Sequence, residues 1–167
     1  MSINLIVAIN QNNAISKDNK LIYRIKKDLE RFRKKTEHNI VLMGRNTFSE
    51  IGRALPKRTN VVLTTQNDFE VPTGVFKESS FEKVLNHYLE SGNQDRHLCI
   101  CGGIGLYKQS LPFVNKVYLT YIYDNEKGDD QFPYDYIKKN FKEVKREKHE
   151  ENGLKFDFID YVRKEEY

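Results

Sequence analysis

Apolar residues gather in short unbroken runs at 3–9 (INLIVAI), 40–43 (IVLM), 60–64 (NVVLT), 98–101 (LCIC) and 117–123 (VYLTYIY). Runs of this length, rich in β-branched residues, predict strands buried on both faces of a parallel sheet. Between them the apolar spacing turns helical, near 25–36, 46–52, 80–90 and 104–110. Strands alternating with helices imply βαβ crossovers. The pattern changes at the end, where Asn152-Gly153 separates EVKREKH from LKFDFIDYV and Leu154, Phe156 and Phe158 alternate with polar residues. That is a hairpin with an Asn-Gly turn. The expected architecture is α/β, a mostly parallel central sheet with helices on both faces, finished by a C-terminal antiparallel hairpin. Without repeats or Pro/Gly-rich linkers, residues 1–167 read as one domain.

One position disturbs this pattern. In the segment IKKDLERFRKKT, helical spacing aligns Ile25, Leu29, Phe32 and Thr36 on an apolar stripe, and Asp28 falls on that stripe. Lys26, Lys27, Glu30, Arg31, Lys34 and Lys35 fall away from it. An inward carboxylate costs free energy unless something hydrogen-bonds it, so either the fold or a ligand must supply a partner. Thr120, inside the apolar run VYLTYIY, is a buried hydroxyl with the same need. Elimination pairs the two, although spacing alone does not prove it.

Composition narrows the class. Apolar residues make up 38% and charged residues 31%, and no apolar run approaches the length of a membrane span. The opening MSINLIVAINQ lacks a basic region and reads as a first strand rather than a signal peptide, so the cytoplasm is the expected compartment. Cys99 and Cys101 stand too close along one strand for a normal disulfide, and they read as free thiols in a reducing compartment. The four histidines show no metal-ligand spacing, so no metal is expected. The net charge of +4 is uneven, with nine Lys or Arg against three acids in residues 17–35. Such a stretch favours an anionic partner or is simply a solvated helix face.

Three strand-to-helix junctions carry residues suited to phosphate. In Met43-Gly44-Arg45-Asn46-Thr47, Gly44 permits close backbone approach, Asn46 or Thr47 can cap a helix, and Arg45 adds a fork of donors. In Cys101-Gly102-Gly103-Ile104-Gly105-Leu106-Tyr107, adjacent glycines let a ligand lie against bare backbone, without satisfying G-x-G-x-x-G. Val61-Val62-Leu63-Thr64-Thr65-Gln66 ends a strand in hydroxyls. Each segment has an ordinary turn or strand end as its competing explanation.

Taken together, the chain resembles dihydrofolate reductases along almost its whole length. The resemblance rests on LIVAI near the start, DLERF at 28–32, IVLMGRNTF at 40–48, IGRALPKRTNVVLTT at 51–65, GGIGLY at 102–107, YLT at 118–120 and GDDQFP at 128–133, in matching order and spacing. It implies a dihydrofolate-reductase-like fold and hydride transfer from NADPH to dihydrofolate, giving tetrahydrofolate. It implies that Asp28 is the ionisable group of the pterin pocket, supported by Thr120, with protons arriving through water. Tyr23 joins Asp28 and Thr120 as a catalytic-site residue. Ile6, Ala8, Leu29, Phe32, Ile51, Leu55 and Cys101 match pterin and benzoyl contacts, and Arg58 matches the clamp on the glutamate tail. On the cofactor side the matches are Ala8, Ile15, Asn19, Gly44, Arg45, Asn46, Thr47, Leu63, Thr64, Thr65, Ile104, Gly105, Leu106, Tyr107 and Asp129. Gly102-Gly103 match a cis peptide beside the cofactor. Diaminopyrimidine or pteridine antifolates are the implied inhibitors, and a monomer without nucleic-acid or membrane partners is the implied state.

The sequence departs from the family pattern in the loop before the helix, where Ser16 and Ile22-Tyr23 stand in place of Gly and Pro-Trp. Gly105 replaces a commonly basic or polar residue, which leaves NADPH preference to Arg45 and the threonines. Altered loop and pocket walls also imply reduced sensitivity to diaminopyrimidine antifolates. Two alternatives stand beside this reading: a reductase of another heterocycle, such as the aminopyrimidine ribitol step of riboflavin synthesis, and a non-catalytic nucleotide- or nucleic-acid-binding protein. The first leaves Arg58 without a glutamate tail to bind. The second leaves Asp28 without a purpose and lacks surface aromatics for base stacking.

Overall fold

The computed structural model describes residues 2–90 and 95–165. The apolar runs become β1 (Ile3–Asn10), β4 (Ile40–Gly44), β5 (Thr59–Leu63), β7 (Leu98–Ile100) and β8 (Lys116–Ile122). Short strands β2 (Ser16–Lys17), β3 (Lys20–Leu21) and β6 (Phe76–Glu78) lie between them, and β9 (Phe141–Glu151) and β10 (Leu154–Arg163) close the chain. Eight of these strands form one sheet in the order β6-β5-β4-β7-β1-β8-β10-β9, while β2 and β3 make a separate two-stranded ribbon. Every pairing from β6 to β8 is parallel, and β10 runs antiparallel to both its neighbours. The Asn152-Gly153 turn has φ of 53° and 81°, the left-handed pair that a two-residue hairpin demands.

The helices are α1 (Lys26–Thr36), α2 (Arg45–Ile51), α3 (Phe81–Glu90), α4 (Ile104–Ser110) and α5 (Tyr134–Asn140), with a 3-10 turn at Leu111–Phe113. The apolar pattern does not announce α5, because only Ile137 among its seven residues is buried. Strand alternation sends successive side chains to opposite layers. On one face, Leu5, Val7, Leu42, Ile100 and Leu119 join Val84 of α3, Leu106 of α4 and Ile137 of α5 in one core. On the other, Val41, Met43, Val62 and Cys99 pack with Phe48 of α2, and Ile6, Leu55 and Cys101 lie partly buried against them. A third cluster of Ile25, Ile122, Phe156 and Phe158 takes in Ala8 and Tyr23. The register sets Thr120 beside both Ala8 and Phe158. The sheet face under α1 therefore presents Ala8, Thr120 and Phe158 side by side.

Candidate active site

Helix α1 starts at Lys26 without a side-chain cap from Ile25. The open N–H groups of Lys26 and Lys27 donate instead to the Glu151 carboxylate, at 2.7 and 3.2 Å. This fixes the first turn, and with it Asp28, against the end of the C-terminal hairpin. Thr120, buried in β8, donates its hydroxyl proton to Asp28 Oδ1 at 2.5 Å. The pair reached by elimination is present. Burial pushes the Asp28 carboxyl above the ordinary carboxylate range, and the nearby Glu151 charge adds to that. The Thr120 hydrogen bond and the Arg31 charge act against it.

Periodicity placed the other α1 side chains less well. Leu29 is 50% exposed and Ile51 of α2 is 37% exposed, so neither belongs to the core. Ile25 is buried but stands before the helix. Arg31, expected on the solvent face, turns inward: its side chain is only 11% exposed, paired with Asp160 and donating to the Leu119 carbonyl at 3.2 Å. A spacing rule cannot foresee this, because the acceptors come from β8 and β10. The basic stretch is correspondingly less free than its charge count suggests, since Lys17 pairs with Glu126 and Arg33 with Glu37.

Arg58 is oriented by two hydrogen bonds of its guanidinium. Its Nε donates to the Pro56 carbonyl at 2.8 Å and one terminal nitrogen to Thr36 Oγ1 at 3.1 Å. These bonds orient the fork while using two of its five N–H groups. The loop before it is braced by Asn60, whose side chain accepts from the Leu55 N–H at 2.8 Å and donates to the Leu55 carbonyl at 2.9 Å. Sequence reasoning missed Asn60. The available signal was a buried amide at the start of an apolar run.

A second cleft, of about 510 Å³, opens where α2 and α4 begin. It brings together Gly44, Arg45, Asn46 and Thr47 with Leu63, Thr64, Thr65, Gly103, Ile104, Gly105 and Leu106. Gln66, at the end of the third segment, lines it too, as do Ser79, Ser80 and Gln109, which sequence reasoning passed over. Asn46 and Thr47 do not cap α2: the helix begins one residue earlier, Gly44 is its N-cap, and it makes no side-chain cap bond. Gly103 stands likewise before α4. Two helix starts with unsatisfied N–H groups, one arginine and several hydroxyls form a surface suited to phosphate. The Gly44 N–H donates to the Gly102 carbonyl at 2.8 Å, and the Gly102–Gly103 peptide is cis. Gly102 adopts φ of +116°, open to glycine, with the Tyr107 ring beneath it. Tyr107 is itself buried, its hydroxyl donating to the Ile6 carbonyl at 2.6 Å, and so supports the glycine pair from below.

The loop residues separate from this cleft. Ile15, Asn19 and Asp129 are not part of its lining, and neither is Ala8 of β1. Asp129 accepts the N–H groups of Asp18 and Asn19, both at 2.9 Å, which holds its carboxyl below the usual range and ties down the β2–β3 ribbon. Its place is a loop clasp, because backbone donors take up its oxygens. Tyr23 donates its hydroxyl to Asp124 and accepts from Asn10 at 3.1 Å. Burial and the Asp124 hydrogen bond push that phenol up to about 12. Its one proton is thus committed to Asp124, and it is not free to donate toward Asp28. Both cysteines are free, and burial pushes the thiols of Cys99, to about 12, and of Cys101 upward. Among the described residues no helix is long and apolar enough to cross a membrane.

Comparisons with known proteins give the family of the chain and of its fold. The family model described as Dihydrofolate reductase matches residues 2–163. A dihydrofolate reductase of Haemophilus influenzae is 44% identical over 133 residues, covering 80% of this chain and 79% of that protein. One of Bacillus subtilis is 36% identical over 165 residues, covering 97% and 95%. Among solved structures, dihydrofolate reductase from Enterococcus faecalis complexed with NADP(H) and RAB-propyl superposes with a TM-score of 0.87 at 29% identity, covering 98% of this chain and 97% of that one.

Proposed function

The chain belongs to the dihydrofolate reductase family, and on that premise we propose how its own residues divide the work of reducing dihydrofolate to tetrahydrofolate with NADPH. The observation that carries the proposal is the Asp28–Thr120 pair, a carboxylate held on the inner side of α1 within the sheet face that carries Ala8. In this reading Asp28 receives the pterin amino and ring amide groups. Thr120 fixes the carboxylate plane, and Ile6, Ala8 and Cys101 form the floor. Leu29, Phe32, Ile51 and Leu55 form the walls around the ring systems. Arg58, already oriented by Thr36 and Pro56, offers its remaining N–H groups to the carboxylate of the glutamate tail, a bidentate task for which lysine is poorly shaped.

The residues of the second cleft fit a dinucleotide phosphate ester. Arg45, Thr64 and Thr65 would hold the phosphate and adenosine side, and Thr47 with Gly102-Gly103 the opposite end. When bound, NADPH supplies the hydride. Asp28 contributes by electrostatics, since an elevated proton affinity in a desolvated site favours the protonated pterin with water as carrier. Tyr23 acts indirectly, anchoring the loop through Asp124 and Asn10. Ile15, Asn19 and Asp129 belong with that loop, which bears on the cofactor only by its placement. Diaminopyrimidine or pteridine antifolates should bind where the pterin does, more weakly for diaminopyrimidines than in relatives that keep Gly and Pro-Trp. We take residues 1–167 as a single domain acting as a cytoplasmic monomer.

The test is loss of NADPH absorbance on adding dihydrofolate, for the wild type and for Asp28→Asn. The wild type should turn over, and the variant should lose on the order of 10²-fold or more near neutral pH, where protons are scarce. Equal rates would remove Asp28 from the mechanism.

A further inference from the structure

We propose that Arg31 is a positioning residue for this reduction: anchored by Asp160 and the Leu119 carbonyl, it sets both the place and the electrostatic surroundings of the Asp28 carboxylate. The inference rests on the reading of Asp28 as the pterin-site carboxylate.

The geometry carries it in two ways. Arg31 follows Asp28 by three residues on α1, a spacing that stacks the two on one helix face. Its guanidinium donates to the carbonyl of Leu119, and the next residue in β8, Thr120, is the donor to Asp28. One cation therefore braces the backbone that presents the Thr120 hydroxyl. The guanidinium also lies 4.7 Å from the Phe158 ring centroid and 5.6 Å from that of Tyr118, so rings of both strands hold it in plane. Asp160 is the cross-strand neighbour of Tyr118, and a register shift follows it in β10. That irregularity separates Asp160 from Tyr161 at the point where an anion meets α1.

Every element around the pair bears a titratable group. From β9, Glu151 and Glu147 approach Asp28 and Arg31 respectively, with Lys145 near Arg31. From β10 comes Asp160, from β8 the Tyr118 phenol, and from α4 the Tyr107 phenol beside Asp28. Arg31 is the cation that acts on Asp28 most directly, against burial and Glu151. In this chain of charges the Asp28 carboxyl should respond with opposite sign to loss of the Arg31 cation and to loss of the Asp160 charge that offsets it.

The test is a pH profile of kcat together with a direct titration of the Asp28 side-chain carboxyl by carbon NMR on the folded protein without ligands. Arg31→Met removes the cation and should raise the Asp28 midpoint, and the falling limb of kcat with it, by about one pH unit. Asp160→Asn keeps an acceptor for the guanidinium but leaves its charge uncompensated, and should move both downward. Arg31→Lys should restore most of the midpoint while losing kcat, because one ammonium cannot serve both anchors. Shifts of the same sign in Arg31→Met and Asp160→Asn, or unchanged midpoints with reduced kcat, overturn the proposal and leave Arg31 a packing residue. Asp28→Asn separates the two readings. A wild-type pH profile in that variant rejects Asp28 as the pterin-site group, whereas the carboxyl titration reports on Arg31 independently of turnover.

Discussion

The Glu151 carboxylate, at the end of β9, caps the helix that opens at Lys26 and carries Asp28 in its first turn. The cap and the candidate pterin-site carboxylate thus share one helix end, and the cap comes from the C-terminal hairpin. Glu151→Ala should cost about 1 kcal/mol of stability, as loss of a cap does. Glu151→Gln removes a negative charge beside Asp28, so the Asp28 midpoint should fall. Urea unfolding and the pH profile of kcat measure the two effects, and a midpoint that rises in Glu151→Gln would contradict the account.

Asp28 should destabilise the protein that it serves. Burial raises its proton affinity in the folded chain above that in the unfolded one. Its contribution to stability is therefore complete below the unfolded value of about 3.9 and is lost as pH rises through the folded value. Asp28→Asn should then melt a few degrees higher than the wild type at neutral pH, with the difference vanishing in acid. A lower melting temperature at neutral pH would show that the carboxylate is stabilising.

Thr120→Val removes the donor to Asp28 and leaves a desolvated oxygen without its partner, at a cost of roughly 1–3 kcal/mol in the ionised state. The Asp28 midpoint should rise, and KM for dihydrofolate should increase as the carboxylate loses its fixed plane. Steady-state kinetics across pH would reveal an unaltered KM and midpoint if the hydroxyl were incidental.

The loop clasp depends on a glycine. A Cβ at Gly128 would run into the Ser16 carbonyl oxygen and lie 2.8 Å from Ala14 Cβ, next to the bond from the Asp129 N–H to that carbonyl. Gly128→Ala should cost about 1–3 kcal/mol through overpacking. It should also speed hydrogen exchange at the Asp18 and Asn19 amides, as should Asp129→Ala. Unchanged protection at those amides in both variants would place the clasp elsewhere.

Arg45 lines the cleft at the start of α2, its guanidinium 6.0 Å from the Phe69 ring centroid. With Gly105 bare at the neighbouring helix, Arg45 is the charge on which discrimination between NADPH and NADH should rest. Arg45→Ala should lower the ratio of their kcat/KM values by about tenfold or more. An unchanged ratio assigns the preference to the threonines and serines.

Apolar runs, their β-branched content and the Asn152-Gly153 turn were enough to recover the main strands, four helices and the antiparallel finish, because those features answer to local period and turn chemistry. Asp28 and Thr120 stood out for the same reason, as polar groups at positions that local pattern reserves for apolar ones. Whether they met could not be read from either segment, since the register of β8 against β1 and the anchoring of α1 by Glu151 bring them together. The inward turn of Arg31, the distant cap from Glu151, the brace at Asn60 and the commitment of Tyr23 to Asp124 were likewise decided in three dimensions. Each joins residues from separate elements, and a partner supplied by another strand leaves no period in the chain that it completes. The sequence by itself determined the main strands and marked Asp28 and Thr120 as polar groups in need of partners, and the tertiary structure decided both that they meet and which other residues, Arg31 and Asn60 among them, are drawn inward.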